Sequence, residues 1–165
     1  MKTYIILALL LLLGVGLFAE FSVGLNSLFV TNYSLGLPGT PTIAGVIGID
    51  PRVSFGPVYA GISAPFMLFA AGAGEGSSFM PFPPGIIMHA YIGGKFDIGN
   101  FYVMGDIGGV LVILAGGIPN FIPIRLGGGW YFSEHGFLEL NTVAIAQDIL
   151  GSIGRVYYLE VGYEF

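Results

Sequence analysis

The chain has no cysteine, two histidines, one tryptophan and only five lysines and arginines among 165 residues. Without a thiol there can be no disulfide framework and no lipid-modified cysteine anchor. Ten acidic residues outnumber the five basic ones. No basic cluster stands anywhere, so the chain lacks the electrostatic footprint of a nucleic-acid binder. Charge of either sign is scarce as well, at 9% of residues, against about 25% in a typical soluble domain. A surface built from so few charges is better matched to lipid than to water.

Long apolar runs are also few. The only clean one, Tyr4 to Phe18, follows Met1-Lys2 and precedes the small residue Ala19. It is shorter than the ~20 residues of a spanning helix and reads as a secretory signal peptide over residues 1–19, leaving 20–165 as one domain. Leu17, where a small residue is usual, keeps an uncleaved N-terminal anchor as the alternative. Removal of Lys2 with the leader would leave four basic residues against ten acidic. Further along, Phe101 to Ile118 is the best helical candidate, but it holds Asp106 and five glycines, and Pro119 and Pro123 follow. A charge at mid-membrane in a helix costs ~2.5–3.5 kcal/mol, which disfavours a helical bundle.

What the chain has in abundance is alternation. Neighbouring side chains of a strand point to opposite faces, and eight segments sort on that rule. Phe21, Val23 and Leu25 oppose Ser22, Gly24 and Asn26 in the first. From Ile43 to Phe55, Ile47, Ile49 and Val53 oppose Gly48, Asp50, Arg52 and Ser54. From Val58 to Phe66, Ala60 and Ile62 oppose Tyr59, Gly61 and Ser63. Ile87 to Ile98 sets Ala90, Ile92 and Phe96 against His89, Tyr91, Lys95 and Asp97. Phe101 to Val112 sets Val103 and Ile107 against Tyr102 and Asp106. Phe121 to Phe132 sets Ile124 and Trp130 against Arg125 and Tyr131. Phe137 to Ala146 sets Leu138 and Leu140 against Glu139 and Asn141. In the last segment Tyr157, Leu159, Val161, Tyr163 and Phe165 oppose Tyr158, Glu160, Gly162 and Glu164. No charge falls on the apolar face, the reverse of a soluble barrel. Pro51 cannot donate to a ladder and predicts a bulge or an unpaired position.

Connections alternate in length, as in an up-and-down barrel. Gly56-Pro57, Gly99-Asn100 and Ser133–Gly136 are short turns. The long loops run about Thr31–Thr42, Met67–Gly85, Ile113–Asn120 and Gln147–Gly154. Phe21, Phe55, Phe96, Phe101, Trp130 and Phe132, with Tyr163 and Phe165, gather at the short-turn end as an aromatic girdle. Phe29, Phe66, Phe121 and Tyr157 form a thinner ring at the other end.

The terminal strand, closing on Val161, Tyr163 and Phe165, resembles the C-terminal strand of bacterial outer-membrane β-barrels. The layout resembles the small eight-stranded members of that class, the transmembrane domain of outer membrane protein A and the OmpX-like proteins. The resemblance implies an all-β, eight-stranded antiparallel up-and-down transmembrane barrel in the outer membrane. It would be surrounded by outer-membrane lipid and inserted by the barrel assembly machinery, which reads the terminal aromatic. Short turns would face the periplasm and long loops the exterior.

The inward face carries Asp50, Arg52, Lys95, Asp97, Asp106, Arg125, Glu139, Glu160 and Glu164. So narrow a barrel is filled by side chains, and three basic groups among six carboxylates read first as an ion-paired plug. An ion path or proton relay is the alternative, and the carboxylate surplus would favour cations. His89 and His135 lie at opposite levels of the barrel, roughly 30 Å apart at ~3.3 Å per residue, and cannot share a metal. Ser63, His89 and Asp106 are a weak nucleophilic trio. Gly127-Gly128-Gly129 lacks the lysine and helix of a phosphate loop. No cofactor is implied. The apolar outer loops, with Phe79-Met80-Pro81-Phe82, would contact a protein partner or a hydrophobic ligand. The expected function is therefore structural or adhesive and non-enzymatic. A narrow channel or a transporter of small hydrophobic molecules comes second, and an outer-membrane lipid-modifying enzyme third.

Overall fold

A strand satisfies its backbone only beside another strand, and a set of such strands with an apolar outer face must close to leave no edge. The computed structural model describes residues 19–31, 42–72, 75–112 and 122–165, and in it the sheet closes. The strands are β1 (Glu20–Thr31), β2 (Thr42–Phe55), β3 (Val58–Gly72), β4 (Glu75–Pro81), β5 (Ile87–Ile98), β6 (Phe101–Val112), β7 (Pro123–Tyr131), β8 (Gly136–Ile145) and β9 (Val156–Glu164). One short helix, α1 (Ile149–Ser152), lies between β8 and β9. Neighbours run in the order β2-β1-β9-β8-β7-β6-β5-β3-β4, and pairing of β2 with β3 completes the ring. β4 pairs with the far end of β3, from Met67 to Gly72, above the point where β5 joins β3. The wall is therefore an eight-stranded antiparallel barrel, the predicted fold class.

Cross-strand partners followed once round the wall are Val30, Val156, Val143, Arg125, Asp106, Gly93, Tyr59, Ser54 and Glu20. The path leaves β1 at Val30 and returns to it at Glu20, ten residues away. Such a stagger over eight strands belongs with a tilt of roughly 35–45° and an interior just wide enough for side chains. The seam is sealed at the C-terminus, where the Phe165 amide donates to the Phe21 carbonyl at 2.7 Å.

The two shortest turns follow from their glycines. Gly56 and Gly99 have φ of 59° and 66°, while no other residue type has positive φ among those described. A positive angle at the first central residue alone is what a type II′ hairpin turn needs.

Two expectations, both on long loops, need correction, while the unpaired position expected at Pro51 is found on one side of its strand. Met67 to Gly85 is not all loop: β3 continues to Gly72 and β4 returns along it, forming a hairpin beyond the barrel wall. Alternation fades there because the two faces of that hairpin no longer divide lipid from lumen. The ladder passes Pro51 unbroken on the β1 side, opposite Val23. On the β3 side it lapses between the Ile49–Ala64 and Arg52–Gly61 pairs, with the register shift earlier, at Ile47/Gly48. The last long loop contains α1, capped by the Asp148 side chain, which accepts from the Gly151 amide at 3.0 Å. Residues 1–18 of the leader, the loop residues 32–41, 73–74 and 113–120, and Phe121 lie outside the described residues.

Candidate functional site

Inward parity on five strands brings one charged layer together across the lumen. Asp50, Arg52, Asp106, Arg125, Glu139 and Glu160 are each at most 5% exposed. Arg52 grips Glu139 with both nitrogens, Nη1 to Oε1 at 2.5 Å and Nη2 to Oε2 at 3.1 Å, and reaches Glu160 Oε2 at 2.9 Å. Arg125 donates from Nε to both Asp106 oxygens at 2.9 Å and from Nη1 to Asp50 Oδ2 at 3.3 Å. Its guanidinium is stacked between the rings of Tyr91 and Tyr158, at 3.9 and 4.4 Å. Planar, fixed forks suit such sites, where an ammonium would not.

Four tyrosines complete the layer. Tyr59 donates to Asp106 at 3.0 Å and Tyr102 to Glu139 at 2.7 Å. Tyr91 is bonded to Asp50, and the Tyr158 hydroxyl lies between Asp50 and Glu160. Sequence reasoning turned these four rings inward but assigned them no part in the network. The signal was available: a tyrosine on the lumen face of a filled barrel needs a partner for its hydroxyl. Glycine opposite makes the room. A Cβ on Gly129 would meet Tyr102 Cζ at 2.3 Å, and one on Gly24 would meet Glu160 Oε1 at 1.9 Å. That is the use of the last residue of the Gly127–Gly129 run.

The remaining inward charges stand apart from this layer. Lys95 sits toward the short-turn end, donating to Tyr131 at 2.6 Å and facing Glu164 at 3.5 Å. Asp97 shares that face of β5 but is exposed at the rim, because its strand outlasts the packed lumen. The three basic groups therefore do not form one cluster: Arg52 and Arg125 share Asp50, and Lys95 does not. Between the two levels the lumen retains about 10 Å³, beside Arg52, Lys95, Tyr102 and Glu139. That is about the space of one water.

On the long-loop side of the layer the lumen changes character. A cavity of about 250 Å³ is walled by Leu28, Val46, Ile87, Val110 and Val143, with Pro65 and Pro123 beside them. Asn26, Ser63, His89, Arg125 and Tyr158 are its polar members. Sequence reasoning missed these apolar inward residues. Their signal was loss of alternation at the strand ends, as in Leu28-Phe29-Val30 and Val110-Leu111-Val112, where both parities are apolar. Ser63 and His89 are direct cross-strand partners, yet the expected trio is not joined. Ser63 Oγ accepts from Asn26 at 2.8 Å, the buried His89 Nε2 has no hydrogen-bond partner, and Asp106 is held by Arg125 and Tyr59.

Outside, the short-turn end bears the aromatic residues that alternation directs there. Phe21, Phe55, Phe96, Phe101, Trp130, Phe132, Tyr163 and Phe165 are all exposed. Several touch, as Phe101 with Trp130 at 6.4 Å and Tyr163 with Phe165 at 5.0 Å between centroids. At the other end Phe29 stacks on Tyr157 at 5.7 Å. His135 is exposed in a short turn against Tyr163. Among the described residues no helix is long and apolar enough to span a membrane, and no group of three or more acidic or histidine side chains is arranged for a metal.

No protein-family model and no curated protein sequence matches the chain. Among solved structures it is similar to one titled "De novo design of transmembrane beta-barrels", at 9% identity and a TM-score of 0.50 over 88% of this chain and 95% of that one. At that identity the likeness speaks to fold alone, and the fold is that of a closed transmembrane-type β-barrel.

Proposed function

We propose that this chain is an integral protein of the bacterial outer membrane, non-enzymatic and structural or adhesive in role, with a lumen sealed by ion pairs. The observation that carries this reading is the charged layer: two guanidiniums and four carboxylates fill the cross-section and are buried by four tyrosines. An exposed apolar outer face, including Leu25, Ile62, Ile92, Leu140 and Val161, supports lipid as its surroundings. Adhesion has support in the β3–β4 hairpin, where Phe79 and Met80 are each 60% exposed. A patch of that kind is a contact surface more often than an idle one.

The test is conductance. In planar bilayers the purified protein is expected to give no steady current, only brief small openings. Replacing Arg125 with a neutral residue should loosen the layer and raise opening frequency. A large, steady, cation-selective current from the unaltered protein would overturn the sealed-lumen reading in favour of a channel.

A further inference from the structure

The cavity beyond the charged layer is not accounted for by a structural role. A close-packed protein interior leaves few voids larger than a water, yet this cavity measures about 250 Å³ and is walled mainly by aliphatic side chains and prolines. An apolar cavity of about 150 Å³ already takes benzene. At its floor one buried nitrogen, His89 Nε2, has no hydrogen-bond partner. Arg125 beside it is already paired with Asp50 and Asp106. A buried polar atom left unpaired is destabilising, and a bound oxygen would relieve it.

We propose that the long-loop half of the lumen is a binding site for one small uncharged amphipathic molecule, an apolar body with a hydroxyl or carbonyl at its inner end. The walls select for the body. Leu28, Val46, Ile87, Val110 and Val143 offer no hydrogen bonds from their side chains, so a polar or highly hydrated ligand would lose water without compensation. The floor selects for the oxygen, through His89. Neutrality follows from the layer below, where four carboxylates, Asp50, Asp106, Glu139 and Glu160, face two guanidiniums. Both guanidiniums are already paired with those carboxylates, so neither is free to bind an anionic head. A cationic head would meet Arg125 at the floor and apolar walls around it. Ser63 and Asn26, already bonded to each other, line the same cavity and hold the floor in shape.

The experiment uses the full barrel refolded into lipid nanodiscs and titrated with 4-ethylphenol, followed through histidine imidazole resonances. The chain has two histidines, so His135 in its exposed turn serves as the internal control. The His89 signals are expected to move saturably to a one-to-one endpoint while those of His135 stay fixed. Filling the cavity by Val110→Phe should weaken binding at least tenfold. Val46→Phe fills it from another strand and serves if the first variant does not fold. The anionic analogue 4-ethylbenzoate should bind at least tenfold more weakly than the phenol. Unsaturable shifts common to both histidines would mean partition into lipid alone and would overturn the site. Wild-type affinity in the filled variants would overturn it too, and equal binding of the benzoate would overturn the neutral-ligand assignment.

Discussion

At the scale of single residues, the two lumen arginines differ from the lysine in what surrounds them. Arg125 is 1% exposed, holds two carboxylates and is covered on both faces by tyrosine rings. Truncating it leaves Asp50 and Asp106 buried without that partner, a situation that costs ~3–5 kcal/mol. Arg125→Met is therefore expected to lower unfolding stability in micelles by about that amount, read as a drop in the urea midpoint. Adding Asp106→Leu should restore part of the loss, since it removes one of the stranded charges. Lys95→Gln acts nearer the short-turn end, on one ion pair 3.5 Å long and one hydrogen bond to Tyr131, and should cost roughly 1.5 kcal/mol. Equal losses for Arg125→Met and Lys95→Gln would contradict the division of the lumen into a buried layer and a short-turn end.

At the scale of elements, β9 carries two jobs on its two faces. Tyr158 and Glu160 enter the charged layer, while Leu159, Val161 and Tyr163 face outward. Its far neighbour is β1, so the barrel closes only when the last strand meets the first. Phe165 secures that meeting through the bond to the Phe21 carbonyl and ring contacts with Phe21 at 6.0 Å and Tyr163 at 5.0 Å. Deleting Phe165 removes the contacts and the terminal aromatic together. The heat-modifiable folded form in the outer membrane should then fall several-fold, by gel mobility of unheated samples. An undiminished folded fraction would detach Phe165 from assembly. The hairpin of β3 and β4 shows the opposite case, an element whose existence depends on strand pairing rather than on a lipid-facing stripe.

For the whole molecule, orientation is the quantity that joins architecture to envelope. If the short turns face the periplasm, an impermeant thiol reagent on intact cells should label Ser78→Cys and leave His135→Cys unlabelled. Both positions are exposed, and the absence of native cysteine makes each label unambiguous. The reverse pattern would invert the topology.

Much of this molecule is written in local pattern. The bounds of β5 and β6, the glycine turns, the aromatic end and the inward parity of Asp50, Arg52, Asp106, Arg125, Glu139 and Glu160 all follow from period two and turn chemistry, because a strand between lipid and lumen must alternate. What alternation cannot carry is height. Whether Lys95 joins Arg52 and Arg125, whether Asp97 is inside or at the rim, and whether Ser63 meets His89 depend on the ten-residue stagger. That stagger is a sum of eight pairings, the last of which joins β1 and β9 from opposite ends of the chain. The same holds for the cavity: Leu28, Val46, Ile87, Val110 and Val143 come from five strands. Only closure of the ring sets them at one level. Face is a property of one strand and legible in it; level is a property of the closed barrel.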